Sequence, residues 1–184
     1  MNWKDNLKGL FDDPRLKTNF LKAVMLIISI PIILVSGLFT LNQIEKQDNP
    51  AICQNFDFLK FTSIPVTIQN DQFTYNFTLE IADSETKREQ GLMCRPDLND
   101  NSGMLFIFPI DTQASFWMKN TIIPLDIIFL NSNKQVVDIF PNAAPLRADI
   151  YYTSSQKIKY AIELKGGSIS KFSITKSSKI SFGN

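Results

Sequence analysis

An uninterrupted apolar run most constrains how this chain of 184 residues can fold. Residues 23–41 contain no charged side chain. As a helix, the run spans roughly 28 Å at about 1.5 Å per residue, close to the thickness of the hydrocarbon core of a bilayer. Pro31 lies within it, and proline is tolerated better in membrane helices than in soluble ones. The run therefore predicts a single transmembrane helix.

The charges that flank this run predict its orientation. Five basic residues precede the run, namely Lys4, Lys8, Arg15, Lys17 and Lys22. Only one basic residue, Lys46, follows it closely. The positive-inside rule places residues 1–22 in the cytoplasm and the C-terminal domain outside it, in the periplasm of a Gram-negative cell. We interpret the run as an uncleaved signal anchor. A cleaved signal, with a weak cleavage site at residues 35–37, and a buried soluble helix are alternatives.

The pattern changes after the apolar run. Residues 42–60 show no regular period and predict a linker, so we assign residues 61–184 to the extracytoplasmic domain. In residues 73–81, apolar and polar side chains alternate strictly, which predicts a strand with one face on a core. Asp83 or Ser84 caps a predicted short helix that runs to about Gln90 and stops at Gly91.

Other short apolar segments extend this β-rich pattern. Residues 104–108 predict a buried strand closed by Pro109, and residues 131–134 predict a hairpin turn. Further strands are predicted at residues 115–118, 127–130, 136–140 and 158–164. Many short strands with one short helix favour a mainly β (α+β) domain, a compact antiparallel sheet curled into a barrel or sandwich.

Composition excludes several classes of function. The chain has no histidine, which excludes imidazole general bases, Ser-His and Cys-His pairs, and histidine-ligated metal sites. The formal net charge is +1, and the basic residues are scattered along the chain rather than gathered in a stripe. The sequence therefore predicts no nucleic-acid partner, and it predicts no cofactor.

Polar side chains interrupt the apolar residues 115–129. A charge there is costly to bury unless it is paired, so Trp117, Lys119, Asn120 and Asp126 form a candidate ligand or partner patch. Lys119 supplies charge, Asn120 supplies a donor and an acceptor, and Trp117 supplies a stacking wall. Structural alternatives are a self-bonded turn at residues 119–121 and a backbone cap or ion pair for Asp126, with Arg95 or Lys119 as its partner.

Asp126 also enters a catalytic alternative. Together with Glu163 it could form the paired carboxylates of a cell-envelope hydrolase. However, Glu163 shares strand parity with Lys157 and Lys159, which predicts that it lies on a polar face of its strand.

Cys53 and Cys94 are the two cysteines of the chain. In the oxidising compartment predicted for this domain, they are candidates for a disulfide that pins the linker to the domain. The alternative is a Cu(I) site that combines Cys94 with Met93, Met104 and Met118.

Five ordered motifs in this chain resemble the family called domain of unknown function 192. They are Gly91-Leu92-Met93, Gly103-Met104-Leu105-Phe106, residues 116–121, Pro124-Leu125-Asp126, and Glu163-Leu164 followed by Gly166 or Gly167. The resemblance covers about residues 78–182. It implies a compact, mostly β domain that bacteria often export behind a signal or an anchor, and it implies no reaction. Ser177-Ser178 departs from the Gly-Asp turn that family members typically carry before the last strand.

These patterns together predict a membrane-anchored extracytoplasmic domain of unestablished function. We expect it to bind a ligand or protein partner without catalysing a reaction.

Overall fold

A computed structural model describes residues 51–183 of the chain. The predicted cytoplasmic segment, the transmembrane helix at residues 23–41 and residues 42–50 of the predicted linker lie outside the described residues. No helix among residues 51–183 is both long and apolar enough to cross a membrane.

The described residues form a mainly β domain. After a 3-10 helix at Ala51–Cys53 come β1 (Ser63–Gln69), β2 (Thr74–Ala82), α1 (Glu85–Gln90), β3 (Ser102–Thr112), β4 (Ser115–Phe116), β5 (Leu125–Leu130), β6 (Val136–Ala143), β7 (Tyr152–Thr153), β8 (Ile158–Lys165), α2 (Ser168–Lys171) and β9 (Lys179–Phe182).

Seven strands form one curled sheet in the order β6-β5-β8-β3-β2-β1-β9. Neighbours are antiparallel except β2 and β3, which are parallel and are connected through α1. A bridge between Gln135, just before β6, and Lys179 of β9 brings the two edges together. The prediction of a curled, mainly antiparallel sheet is confirmed, with one parallel pair that the sequence pattern did not indicate. Strands β4 and β7 form a separate two-stranded sheet.

Two apolar clusters cover the two faces of the large sheet. One contains Ile128, Ile162 and Leu164 together with residues of both edge strands, so it fills the inside of the curl. The other contains Phe106, Ile127 and Ala161 with residues of the loop segments that cover the outer face. Because both faces are covered, every residue of β5 is buried.

The helix α1 has the boundaries that its capping residues predict. The Ser84 side chain accepts a hydrogen bond from the Lys87 amide, and the Gly91 amide donates to the Lys87 carbonyl. Gly91 has φ +50, and a Cβ there would lie 3.4 Å from the Phe106 ring. Glycine therefore lets the chain turn closely over β3.

Three details of the predicted elements were wrong. Strand β3 continues through Pro109 to Thr112, because its pairing with β8 is interrupted between Ile107 and Thr112, so Pro109 removes no ladder hydrogen bond. The strand predicted at residues 115–118 covers only Ser115–Phe116. A second short helix, α2, and the strands β1 and β7 were not predicted.

Asp126 is fully buried at the start of β5 and caps backbone groups. Its carboxylate accepts hydrogen bonds from the amides of Asn142 at 2.7 Å, Gly167 at 3.2 Å and Ile169 at 2.6 Å. The anticipated cation partners are elsewhere, since Arg95 pairs with Glu80 and Lys119 lies over the Trp117 ring. Asp126 therefore joins the start of α2 and the end of β6 to the central strands.

Residues 51–61 lie against the domain. A disulfide joins Cys53 to Cys94, with the two Cα atoms 5.4 Å apart. The Leu59 amide donates to the Gln90 side-chain carbonyl, and Phe61 packs on the outer core. These contacts hold the segment beside the turn that follows α1.

Candidate functional site

A cleft of about 580 Å³ opens on the outer face of the sheet. Its walls come from α1, residues 91–93, the second half of β3, residues 113–117 and Thr121, and Glu163 of β8 lines it from the sheet. We call it the Glu163 cleft. Four aromatic residues line it: Phe106, Phe108, Phe116 and Trp117. A cleft of this size that combines aromatic walls with polar groups is typical of small-molecule sites.

The polar group at the sheet side of this cleft is Glu163. The residue is 5% exposed, and its Oε2 atom has no hydrogen-bond partner. Burial raises the pKa of the Glu163 carboxyl from 4.5 to about 8. The carboxyl is therefore mostly protonated at neutral pH, when it can donate or accept a hydrogen bond.

A second unpartnered polar group lines the same cleft. Gln90, at the end of α1, is 9% exposed, and its Oε1 atom accepts a hydrogen bond from the Leu59 amide. That bond fixes the orientation of the side-chain amide and leaves its Nε2 atom without a partner. Among the described residues, three buried side-chain nitrogen or oxygen atoms lack a partner, and two of them belong to residues of this cleft; the third is Nε of Arg95.

The prediction that Glu163 lies on a polar strand face was wrong. Strand β8 runs between β5 and β3, and both of its faces are covered. Lys157 precedes the strand, and Lys159 reaches out to the Pro109 carbonyl. The apolar neighbours Ala161, Ile162 and Leu164 were the sequence signal for this burial, because a strand buried on both faces is apolar throughout.

Asp126 and Glu163 lie on opposite faces of the sheet, which excludes their pairing in a hydrolase site. Asp126 is opposite Leu164, and Ile127 is opposite Glu163. Side chains directly opposite each other share a face, and successive ones alternate. Asp126 therefore lies on the inner face with Leu164, and Glu163 lies on the outer face with Ile127.

Of the predicted patch, the structure brings together Trp117 and Lys119 at the rim of the cleft. The Lys119 Nζ atom lies 5.0 Å from the Trp117 ring centroid, and Tyr151 stacks on that ring at 6.1 Å. Asn120 has φ +55, and its carbonyl accepts a hydrogen bond from the Cys94 amide at 2.8 Å. Asn120 thus holds the turn that carries the rim, whereas Asp126 is not part of it.

The described residues contain no group of three or more cysteine, aspartate, glutamate or histidine side chains placed to hold a metal ion. The disulfide to Cys53 uses the Cys94 thiol that the Cu(I) alternative requires, and Met104 and Met118 are fully buried in the outer core. The copper alternative is therefore wrong for this structure.

The protein is thus a curled, mainly β domain with a cleft on the outer face of its sheet. Residues 66–182 match the family model DUF192, described as uncharacterized ACR, and the chain belongs to that family. The match contains all of β2 to β8 and the residues of the Glu163 cleft.

Several archaeal proteins are similar to this chain. A UPF0127 protein of Thermococcus sibiricus is 39% identical over 93 residues, which are 50% of this chain and 56% of that protein. A UPF0127 protein of Pyrococcus abyssi is 37% identical over 90 residues, 46% of this chain and 68% of that protein. The chain thus spans little more than half the length of the first of these relatives.

Two solved structures share the fold. A Sinorhizobium meliloti 1021 protein, provisionally described as a transcription regulator, has a TM-score of 0.65 and 28% identity, covering 68% of this chain and 98% of its own. A Novosphingobium aromaticivorans protein of unknown function has a TM-score of 0.62 and 32% identity, covering 65% of this chain and 84% of its own.

Burial of Glu163 predicts an unusual dependence of stability on pH. Between pH 4.5 and about 8 the unfolded chain releases this proton and the folded domain retains it. The folding equilibrium constant should therefore fall about tenfold for each pH unit across that window and level off above it. Urea unfolding of the wild type and of Glu163→Gln from pH 5 to pH 9 measures the effect, which the variant should lack.

Asp126→Asn is the matched control, because it alters a buried carboxylate on the other face. We expect it to lower the free energy of unfolding by about 2–4 kcal/mol at neutral pH, through loss of acceptors for backbone amides, while the slope due to Glu163 remains. Parallel pH profiles for the wild type and Glu163→Gln would contradict our assignment of Glu163 as a buried, protonated carboxyl.

Proposed function

We propose that this domain is a binding module that holds a small organic ligand in the Glu163 cleft. The observation that carries the proposal is that two residues that line one aromatic cleft, Glu163 and Gln90, each have a buried side-chain atom without a partner, Oε2 and Nε2 respectively. A buried polar group without a partner costs about 1–3 kcal/mol. A ligand that hydrogen-bonds to both side chains offsets that cost and covers the aromatic walls at the same time.

The rim gives the proposed ligand a second set of contacts. Trp117 is 38% exposed and also lines the cleft, so part of its ring is accessible to a bound molecule. Lys119 and Tyr151 hold the ring in place. In this proposal Trp117 stacks on the ligand, as expected for the predicted patch, whereas Asn120 positions the rim through its backbone carbonyl.

We further propose that residues 23–41 anchor the domain outside the cytoplasmic membrane. The support is the length of the uncharged run and the excess of basic residues before it. In alkaline extraction of membranes, the full chain should remain in the pellet, and a chain that lacks residues 23–41 should enter the supernatant. Release of the full chain into the supernatant would overturn the anchor without affecting the proposed cleft.

Ligand binding can be tested with benzamide, whose carbonyl and amide can bond to both polar groups. In the full chain in neutral detergent, carbon-13 labelled methionine methyl groups report on the site. We expect benzamide at millimolar concentration to shift the Met93 signal saturably, because Met93 lines the cleft. The Met118 signal should move less, since Met118 is buried and does not line it.

Glu163→Leu introduces an apolar side chain of similar size and removes the hydrogen-bonding group. The variant should therefore fold, and it should bind benzamide at least about tenfold more weakly than the wild type. Asp71→Asn, at an exposed position that does not line the cleft, is the control and should bind as the wild type does. The proposal fails if the Met93 signal does not shift in the wild type, or if Glu163→Leu binds equally well.

A further inference from the structure

The Glu163 carboxyl faces a cleft in which no cation is placed to pair with it. Arg88 is the only basic residue that lines the cleft within residues 51–183. Its Nη1 atom donates to the carbonyls of Asp83 at 2.8 Å and Ile107 at 2.9 Å, and its guanidinium lies 5.5 Å from the Phe108 ring centroid. Arg88 is thus occupied with the backbone and with the wall of the cleft, and it leaves Glu163 unpaired.

The remaining charges in the cleft have the same sign as an ionised Glu163. Glu85 and Glu89 line it from α1, so the lining contains three carboxyl groups and one guanidinium, and Lys119 at the rim is a further cation that lies over the Trp117 ring. The lining residues from β3, residues 91–93 and residues 113–121 carry no charge. Asp126, on the neighbouring strand, lies on the other face of the sheet. The lining of the cleft is therefore complementary to a positive charge.

The aromatic walls favour the same kind of ligand. Phe106 and Phe116 meet edge to face, with centroids 4.9 Å apart, and Trp117 continues the aromatic surface to the rim. Ring faces attract cations electrostatically. Two rings of the cleft already have a cation near them. Arg88 lies 5.5 Å from the Phe108 ring centroid, and Lys119 lies 5.0 Å from that of Trp117. Gln90 Nε2 remains as a donor to an oxygen acceptor on the ligand.

We propose that the ligand of the Glu163 cleft is an organic ammonium ion, with its nitrogen paired to the Glu163 carboxylate and its apolar part against Phe106 and Phe116. This inference rests on the proposed function, since it specifies the ligand class of the same site. An acceptor oxygen on the ligand completes the fit by bonding to Gln90. The competing class is a neutral molecule that hydrogen-bonds to the protonated carboxyl.

The two classes differ in proton balance. An ammonium ion that pairs with the initially protonated carboxyl gives a carboxylate–ammonium pair, and the carboxyl proton leaves to solvent. Because Glu163 has a pKa of about 8 in the free cleft, binding below that pH requires the release of this proton. A neutral ligand requires no release. The dependence of affinity on pH therefore separates the classes.

The test uses benzylamine, benzyl alcohol and phenylacetate as cationic, neutral and anionic probes of similar shape. Affinities come from the Met93 methyl signal of the full chain in neutral detergent. Benzylamine affinity should rise about tenfold per pH unit from pH 6 to about 8 and then level off. Benzyl alcohol should bind more weakly at pH 8, without that rise, and phenylacetate should bind most weakly.

Two variants check that Glu163 is the partner. Glu163→Gln should bind benzylamine at least about tenfold more weakly at pH 8 and lack the rise, whereas Asp71→Asn, which does not line the cleft, should bind and rise as the wild type does. Benzyl alcohol binding as tightly as benzylamine at pH 8, or a flat benzylamine profile, overturns the ammonium ligand and leaves the binding module standing. Failure of benzamide and all three probes to shift Met93 overturns both.

Discussion

The pairing of β5 with β8 is the constraint on which the rest of this domain depends. The ladder from Leu125 with Lys165 to Leu130 with Tyr160 lies inside the sheet, between β6 and β3. Its register sends Asp126 to one face and Glu163 to the other. A shift of one residue would place both carboxyl groups on the same face, so one ladder determines both the backbone cap inside the curl and the carboxyl in the cleft.

The two buried carboxyl groups show how the surroundings of an acid determine its use. Asp126 accepts hydrogen bonds from three backbone amides and thereby joins separate segments of the chain. Glu163 lies beside Phe106 and Gly91, and its Oε2 atom has no partner. The first arrangement satisfies a carboxylate within the protein, whereas the second leaves a buried polar atom without a partner. That difference is the basis of the proposed binding site.

The sequence predicted the local elements better than it predicted the site. Strict alternation predicted β2, and the Ser84 and Gly91 caps predicted α1, because both depend on residues close in the chain. The cleft depends on which chain segment covers which face of the sheet. The local alternation of apolar and polar residues does not encode this long-range packing. Glu163 was assigned to a polar face from the parity of its lysine neighbours, although its immediate neighbours are apolar. Asp126 was a candidate site residue because it is a charge in an apolar run, and backbone amides of Asn142, Gly167 and Ile169 account for its burial.

The central claim is that the cleft contains a buried carboxyl that retains its proton at neutral pH. The most direct measurement is a titration of the side-chain carboxyl carbon of Glu163 by nuclear magnetic resonance, with Glu163→Gln identifying the signal. Our account predicts a midpoint near pH 8 for this carbon in the free protein. A midpoint near 4.5, the value of an ordinary glutamate, would contradict it.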